Sequence, residues 1–214
     1  MTLLVNEIFC SIQGESLEAG RPCVFVRLSG CNLRCSYCDT RYAFEGGRAM
    51  TIDEIEKSVR SYGINLVEIT GGEPLLQAET PLLARRFLED KMELLVETNG
   101  SLDIDIIDRR CIRVVDVKCP SSNEALKNDP ENAGRLTAND QLKFVIQNRQ
   151  DYCYAKEFIG SRWGNSPPCP ILFSPVLSSL NPAMLASWIL ADRLDVRLQL
   201  QLHKIIWPGR DRGV

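Results

Sequence analysis

Leu66-Val67-Glu68-Ile69-Thr70-Gly71-Gly72-Glu73-Pro74 is the stretch on which the fold turns. A short apolar strand, Leu66 to Thr70, runs into paired glycines that let backbone groups approach a ligand closely, with a carboxylate next that can accept from an ammonium. Taken alone, the segment also reads as a strand-terminating turn. Its place in a series gives it weight. Further strand candidates are Val5 to Phe9, Cys23 to Ser29, Glu93 to Glu97, Arg113 to Lys118, Gln141 to Ile146, Ile171 to Phe173 and Val196 to Leu202.

Helix signals lie between these runs. Thr51 with Glu54 forms a capping box, and Gly63 can stop that helix after Tyr62. Thr80-Pro81 and Asn181-Pro182 each place an N-cap before a proline whose missing N–H costs nothing in the first turn. A weaker helix covers Asp151 to Ile159. Strands alternating with helices predict an α/β fold with a largely parallel sheet. Between Gly100 and Ile112 there is room for only a short helix, so an incomplete, TIM-like βα barrel fits better than a closed eightfold one. The polar stretch from Cys119 to Asn139 is expected as a long surface loop, either a lid or a mobile connection.

A chain of 214 residues fits one domain, 1–214, whose core can be stable without disulfides. Its net charge of -3 and 25% charged residues give no electrostatic case for nucleic acid or a membrane surface. Met1 is followed by a strand-like run rather than a basic and then apolar leader, and no apolar run approaches about 18 residues. A cytoplasmic location is therefore expected. In that reducing compartment, nine cysteines are better read as metal ligands or plain thiols than as disulfides.

The chemically interesting residues gather just after strands, and in a parallel barrel such positions share one face. Cys31-Asn32-Leu33-Arg34-Cys35-Ser36-Tyr37-Cys38 follows Gly30 and offers three thiols within eight residues. Structural zinc and conventional iron-sulfur sites take four ligands, so a three-cysteine cluster would leave one iron with an open position. Zinc completed by His203 or another cysteine uses the same spacing. The combination of CxxxCxxC with Thr70-Gly71-Gly72-Glu73-Pro74 resembles the radical S-adenosylmethionine (SAM) superfamily. The resemblance implies a [4Fe-4S] cluster on Cys31, Cys35 and Cys38, SAM chelated to the open iron, and reductive cleavage of SAM to a 5′-deoxyadenosyl radical.

The similarity narrows outside these motifs. Asn6-Glu7-Ile8-Phe9, Ser11-Ile12-Gln13-Gly14-Glu15-Ser16, Phe25 to Leu33, Cys38-Asp39-Thr40, Glu97-Thr98-Asn99-Gly100, Asp116-Val117-Lys118, Leu142-Lys143-Phe144-Val145 and Leu202-His203-Lys204 resemble the 7-carboxy-7-deazaguanine synthases. That family implies ring contraction of 6-carboxy-5,6,7,8-tetrahydropterin to 7-carboxy-7-deazaguanine with loss of ammonia, on the route to queuosine. It also implies a magnesium ion, a homodimer, and an external flavodoxin-like or ferredoxin-like electron donor. Substrate-binding strands would lie in residues 1–30, and residues 203–214 would form a C-terminal tail.

On this resemblance the substrate contacts are Ile12, Gln13, Gly14, Glu15, Arg27, Thr70, Asn99 and His203. Gln13 to Glu15 set an exposed backbone beside a carboxylate, which suits a guanidine-like pterin edge, although a polar turn looks the same. Arg27 alternates with Val26 and Leu28, and a charge in that strand needs either a substrate carboxylate or an internal salt bridge. Thr40 would join magnesium as a hard oxygen ligand, or simply cap a turn. SAM would meet Tyr37, Cys38, Asp39, Gly72, Glu73, Asp116, Lys118, Pro120, Ser174, Pro175 and Val176. His203 is the sole histidine, equally readable as a satisfied polar residue. Cys10, Cys23, Cys111, Cys119, Cys153 and Cys169 have no paired spacing and read as buried or incidental thiols, with Cys119 beside Lys118 the candidate for oxidation. A glycyl-radical activase would share both core motifs but not Gln13-Gly14-Glu15 or His203-Lys204, and a zinc-binding interaction module would not need the glycine motif.

Overall fold

Period-two alternation decides which face of each strand is which. In Pro22–Leu28, Val24, Val26 and Leu28 join the main core, while Cys23, Phe25 and Arg27 face the other way. The same rule runs along Leu66–Gly71, Glu93–Thr98, Ile112–Val117 and Gln141–Ile146, where the main core takes Val67, Ile69, Leu94, Val96, Val115, Val117, Leu142 and Phe144.

The computed structural model describes residues 1–164, 166–210 and 212–214. In chain order the elements are β1 (Thr2–Ile12), β2 (Pro22–Leu28), β3 (Arg48–Thr51), α1 (Ile52–Arg60), β4 (Leu66–Gly71), α2 (Thr80–Glu89), β5 (Glu93–Thr98), β6 (Ile112–Val117), α3 (Asn132–Arg135), β7 (Gln141–Ile146), α4 (Arg149–Trp163), β8 (Ile171–Pro175), α5 (Pro182–Asp192), β9 (Arg197–Leu198) and α6 (Leu202–Ile206). One sheet carries all nine strands in the order β3-β1-β2-β4-β5-β6-β7-β8-β9. β1 runs antiparallel to β2 and β3, and every pair from β2–β4 to β8–β9 is parallel. With β3 and β9 at opposite edges the sheet is open, which is the incomplete barrel expected from the missing crossover helix.

The concave face is layered. At the N-terminal ends of the strands Cys23, Phe25, Leu66, Leu95 and Val114 form a second apolar cluster, with Phe9 stacked on Phe25 at 5.0 Å. One step further along, the inward positions become Arg27, Glu68, Glu97, Asp116 and Lys143. The apolar plug thus floors a polar chamber built by the strands' C-terminal ends.

Several boundaries differ from the sequence reading. The strand expected over Val196 to Leu202 is cut to Arg197–Leu198, because its one partner is the short edge of β8, and Leu202 instead opens α6. Thr80 lies inside α2 after Glu79, its hydroxyl donating to Pro74 O at 2.6 Å rather than capping. The helix read from Asp151 to Ile159 is longer, because Asn148 caps it by accepting from Asp151 N at 3.1 Å. β3 carries no alternation of its own and forms by pairing with β1. Asn181 and the Thr51–Glu54 box cap α5 and α1 as read. Cys119 to Asn139 is neither a free lid nor a loose link. It contains two tight turns and α3, and Asn132 Nδ2 donates to Gly100 O at 3.1 Å and Leu102 O at 2.8 Å. Among the described residues no helix is long and apolar enough to cross a membrane.

Candidate active site

A cavity of about 770 Å³ opens at the C-terminal ends of the strands. It is lined by Ile12, Gln13, Gly14, Glu15, Arg27, Cys31, Cys35, Tyr37, Cys38, Asp39, Thr40, Thr70, Gly72, Asn99, Asp116, Lys118, Val176 and His203 among the residues singled out in the sequence.

The cysteine loop is positioned by its own backbone. Leu33 N donates to Cys31 Sγ at 3.5 Å, and Cys38 N to Cys35 O at 3.2 Å. Ser36 N and Oγ donate to Ser122 O at 3.1 Å and Ser121 O at 2.6 Å, so the segment after β6 holds the loop from outside. From the other side, Asn99 Nδ2 donates to Asn32 Oδ1 at 3.1 Å and approaches Cys31 Sγ at 3.8 Å. All three thiols face the cavity and are half-buried, whereas Cys23, Cys111, Cys119 and Cys169 are buried and Cys10 and Cys153 are exposed. Burial pushes the Cys35 thiol up to about 11, with Lys118 pulling against it. Cys119 is fully buried and its thiol is pushed well up by burial, which removes the expectation that it oxidises readily.

The glycines of β4 serve the loop rather than a ligand alone. A Cβ on Gly71 would lie 2.2 Å from Leu28 O, and one on Gly72 the same 2.2 Å from Gly30 O and 2.9 Å from Cys31 Cβ. Glu73 corrects the sequence reading. Its carboxylate is fully buried behind the cavity and accepts from Thr98 Oγ1 at 2.8 Å, Asn99 N at 2.6 Å and Leu75 N at 2.9 Å. It therefore ties the end of β4 to the end of β5 and has no face toward an ammonium in the cavity. Burial outweighs these donors and pushes Glu73 up to about 7. Pro120 starts a tight turn outside the lining, and Ser174 and Pro175 are buried in β8, leaving Val176 alone of those three at the cavity.

Ion pairs fill much of the remaining lining. Arg27 Nε donates to Glu7 Oε1 at 2.9 Å, and Tyr42 Oη donates to the same oxygen at 2.7 Å, so the internal partner exists and the guanidinium still borders the cavity. Lys143 Nζ bridges Glu15, at 3.0 Å, and Glu97. Burial alone would neutralise Glu15 and Lys143, yet each keeps the other charged, with Glu15 held below and Lys143 above its ordinary value. Lys118 Nζ pairs with Asp116 Oδ2 at 2.7 Å. Asp116 Oδ1 and the Tyr37 hydroxyl are buried without a hydrogen-bond partner among the described residues. Burial raises Glu68, reinforced by nearby Glu97.

His203 is not at a strand end but in the first turn of α6, packed on the Gln13-Gly14-Glu15 turn. A Cβ on Gly14 would fall 2.5 Å from His203 Nδ1, and Leu202 N donates to Gly14 O at 3.0 Å. Lys204 Nζ meets Asp39 Oδ2 at 2.6 Å and, against the pull of burial, holds Asp39 well below the usual carboxylate range. Thr40 Oγ1 donates to Asp39 Oδ1 at 2.9 Å. The tail residues Trp207 to Arg210 and Val214 complete the wall. Sequence reasoning missed Glu68, Glu97, Lys143 and Gln201 as site residues. The signal was present for three of them: a charge at an inward position of an apolar strand, the pattern read at Arg27.

Three thiols and no fourth cysteine in the cavity lining fit a cluster with an open iron. A model of the radical SAM superfamily matches residues 25–121. Site and match define a radical SAM enzyme, working with a [4Fe-4S] cluster and SAM. Over 99% of its length the chain is 47% identical to the 7-carboxy-7-deazaguanine synthase of Chlorobaculum tepidum, covering 97% of that protein. It is 42% identical to that of Koribacter versatilis, over 98% of this chain and 99% of the relative. The chain belongs to the 7-carboxy-7-deazaguanine synthase family and is a radical SAM lyase. The fold is also that of QueE from Escherichia coli, with a TM-score of 0.78 at 20% identity and 94% of both chains covered. Streptococcus suis SuiB bound to S-adenosylmethionine aligns at a TM-score of 0.54 and 14% identity, over 80% of this chain and 45% of that one.

Proposed function

We propose that the chain converts 6-carboxy-5,6,7,8-tetrahydropterin to 7-carboxy-7-deazaguanine with loss of ammonia, in the cytoplasm, on the route to queuosine. The observation that carries this is the division of one cavity. The three-thiol loop lines one wall, and Arg27 with the Gln13-Gly14-Glu15 turn lines another. Cys31, Cys35 and Cys38 would hold the cluster, which together with SAM would supply hydrogen-atom abstraction chemistry.

The chain's own residues bind and orient. Arg27 is the cation for the substrate carboxylate, with Glu7 and Tyr42 fixing the plane of its guanidinium. Ile12 to Glu15 line the heterocycle's polar edge, with Thr70, Asn99 and His203 bordering the same space. Tyr37 to Asp39, Gly72, Lys118 and Val176 border SAM, and the orphaned Asp116 Oδ1 and Tyr37 hydroxyl are polar atoms that such a ligand would satisfy. Thr40 offers magnesium a hydroxyl oxygen beside Asp39, in keeping with an ion that takes few protein ligands and keeps its water. The tail, ending at the cavity, helps exclude solvent around a radical. A homodimer and an external one-electron donor of the flavodoxin or ferredoxin type complete the reading.

The test is anaerobic reconstitution followed by SAM, reductant and the carboxytetrahydropterin, with mass spectrometry for the deazaguanine acid. Its formation is expected. A protein that cleaves SAM but leaves the pterin intact would overturn the assignment of substrate.

A further inference from the structure

Glu68 occupies an inward position of β4, is 4% exposed, and borders the cavity. One carboxylate oxygen accepts from Gln13 Nε2. Among the described residues Glu68 makes no ion pair and no other side-chain hydrogen bond, so its second oxygen, which reaches the cavity, has no donor from the chain. Of the other acids lining the cavity, Asp116 keeps one orphaned oxygen but is paired with Lys118 beside Cys35, on the cysteine side, whereas Glu15 and Glu97 are fully matched. Both Glu15 oxygens are taken, by Lys143 Nζ at 3.0 Å and Gln201 Nε2 at 2.8 Å. Both Glu97 oxygens are taken as well, by Lys143 and by Thr70 Oγ1 at 3.3 Å.

Gln13 cannot turn to serve in its place. Its Oε1 accepts from Glu15 N at 3.0 Å, and its backbone N–H and carbonyl are held by Arg21 O and Gly20 N at 2.8 Å each. Reversing the amide would set two oxygens, Gln13 Oε1 and a Glu68 oxygen, against each other. Burial makes Glu68 hold its proton more tightly than usual, as expected of a carboxyl group short of donors. A ligand presenting N–H groups supplies what is missing.

We propose that Glu68 is a specificity-determining binding residue, which locks Gln13 with one oxygen and offers the other to the N–H groups of a 2-amino-pyrimidinone edge. This rests on the pterin reading above and assigns the acceptor that recognises the 2-amino side of the ring. It also transfers to Glu68 a task the sequence had given to Glu15.

Calorimetric titration of the reconstituted, SAM-loaded protein with 6-carboxypterin and with its 2-oxo counterpart 6-carboxylumazine tests it. Wild type should prefer the 2-amino ligand by about threefold to tenfold, the net value of one added hydrogen bond. In Glu68→Gln, Gln13 Nε2 keeps an oxygen to donate to, and the new amide turns its NH2 toward the ligand. The preference should vanish or reverse toward the 2-oxo ligand, a change that a merely structural residue would not produce. Equal affinities for the two ligands in wild type would overturn the proposal without any variant. An unchanged ratio in a folded Glu68→Gln protein would overturn it too. Wild type that binds neither ligand while still binding SAM would remove the pterin reading, and this inference with it.

Discussion

Gly72→Ala is the substitution that separates a glycine needed for the cysteine loop from one that merely ends a strand. The added Cβ would lie 2.2 Å from Gly30 O, 2.7 Å from Gly30 C and 2.9 Å from Cys31 Cβ. Two of these are backbone atoms, held by hydrogen bonds from Gly72 N to Leu28 O at 3.1 Å and from Glu73 N to Gly30 O at 2.7 Å. No side chain can rotate away, so Gly30 and Cys31 must shift by about 1 Å to reach ordinary contact. Overpacking of this kind costs about 1–3 kcal/mol, and weakening one of the two hydrogen bonds adds about 1 kcal/mol. At about 2–4 °C per kcal/mol for a chain of this size, the unfolding midpoint should fall by roughly 5–15 °C. Differential scanning fluorimetry measures that, and iron and sulfide analysis after anaerobic reconstitution measures what happens to the loop, where a loss of about half the iron or more is expected. Gly160→Ala is the control. It lies in α4 with nothing within 4 Å of the new methyl, and should stabilise by up to about 1 kcal/mol. A Gly72→Ala protein with a wild-type midpoint and full iron would refute the reasoning.

At the opposite end of the strands, Arg113 and Asp140 form a buried pair, each 1% exposed, with contacts of 2.8 and 2.7 Å. Asp140→Asn should cost up to about 3 kcal/mol in chemical denaturation, since it strips the buried guanidinium of its main partner and leaves only Asp105 at 3.3 Å, while turnover per folded molecule stays at the wild-type level. Arg27→Ala should weaken pterin binding by about tenfold or more, with SAM affinity unchanged; calorimetry that finds the pterin bound as before sinks Arg27 as the carboxylate partner. Glu73 gives a pH dependence whose sign follows from its being raised from 4.5 to about 7 in the fold. The folded state holds the proton more tightly than the unfolded chain, so stability is fully present below about pH 4.5 and is lost as pH rises through about 7, by up to a few kcal/mol. Glu73→Gln has no such proton, and its midpoint relative to wild type should therefore climb between pH 5 and about 8; parallel curves would contradict the burial of that carboxylate.

The parallel sheet was legible because each buried strand is a short apolar run, and the C-terminal face because the unusual residues follow those runs. β9 was overread since Val196 to Leu202 alternates plausibly, but strand length depends on a partner, and β8 offers pairing only to Arg197 and Leu198. β3 escaped notice for the same reason in reverse, as its four residues become a strand only against β1. At the site, local spacing sufficed for Cys31, Cys35 and Cys38. It failed for Glu73, whose sequence neighbours say nothing of Thr98 and Asn99 arriving from β5 to take its oxygens. The matched acids and lysines of the wall, Glu15 with Lys143 and Glu97, are likewise long-range pairings across strands. Arg27 was readable as a charge needing a partner, but Glu7 as that partner came only from the register of β1 on β2.

Three cysteines leave one iron of the cluster open. Electron paramagnetic resonance of the dithionite-reduced, reconstituted protein, with and without SAM, reads that iron directly. About four irons and four sulfides per chain are expected, with a reduced-cluster signal whose g-values shift when SAM is added. Zinc in place of iron and sulfide, or a cluster signal indifferent to SAM, would contradict it.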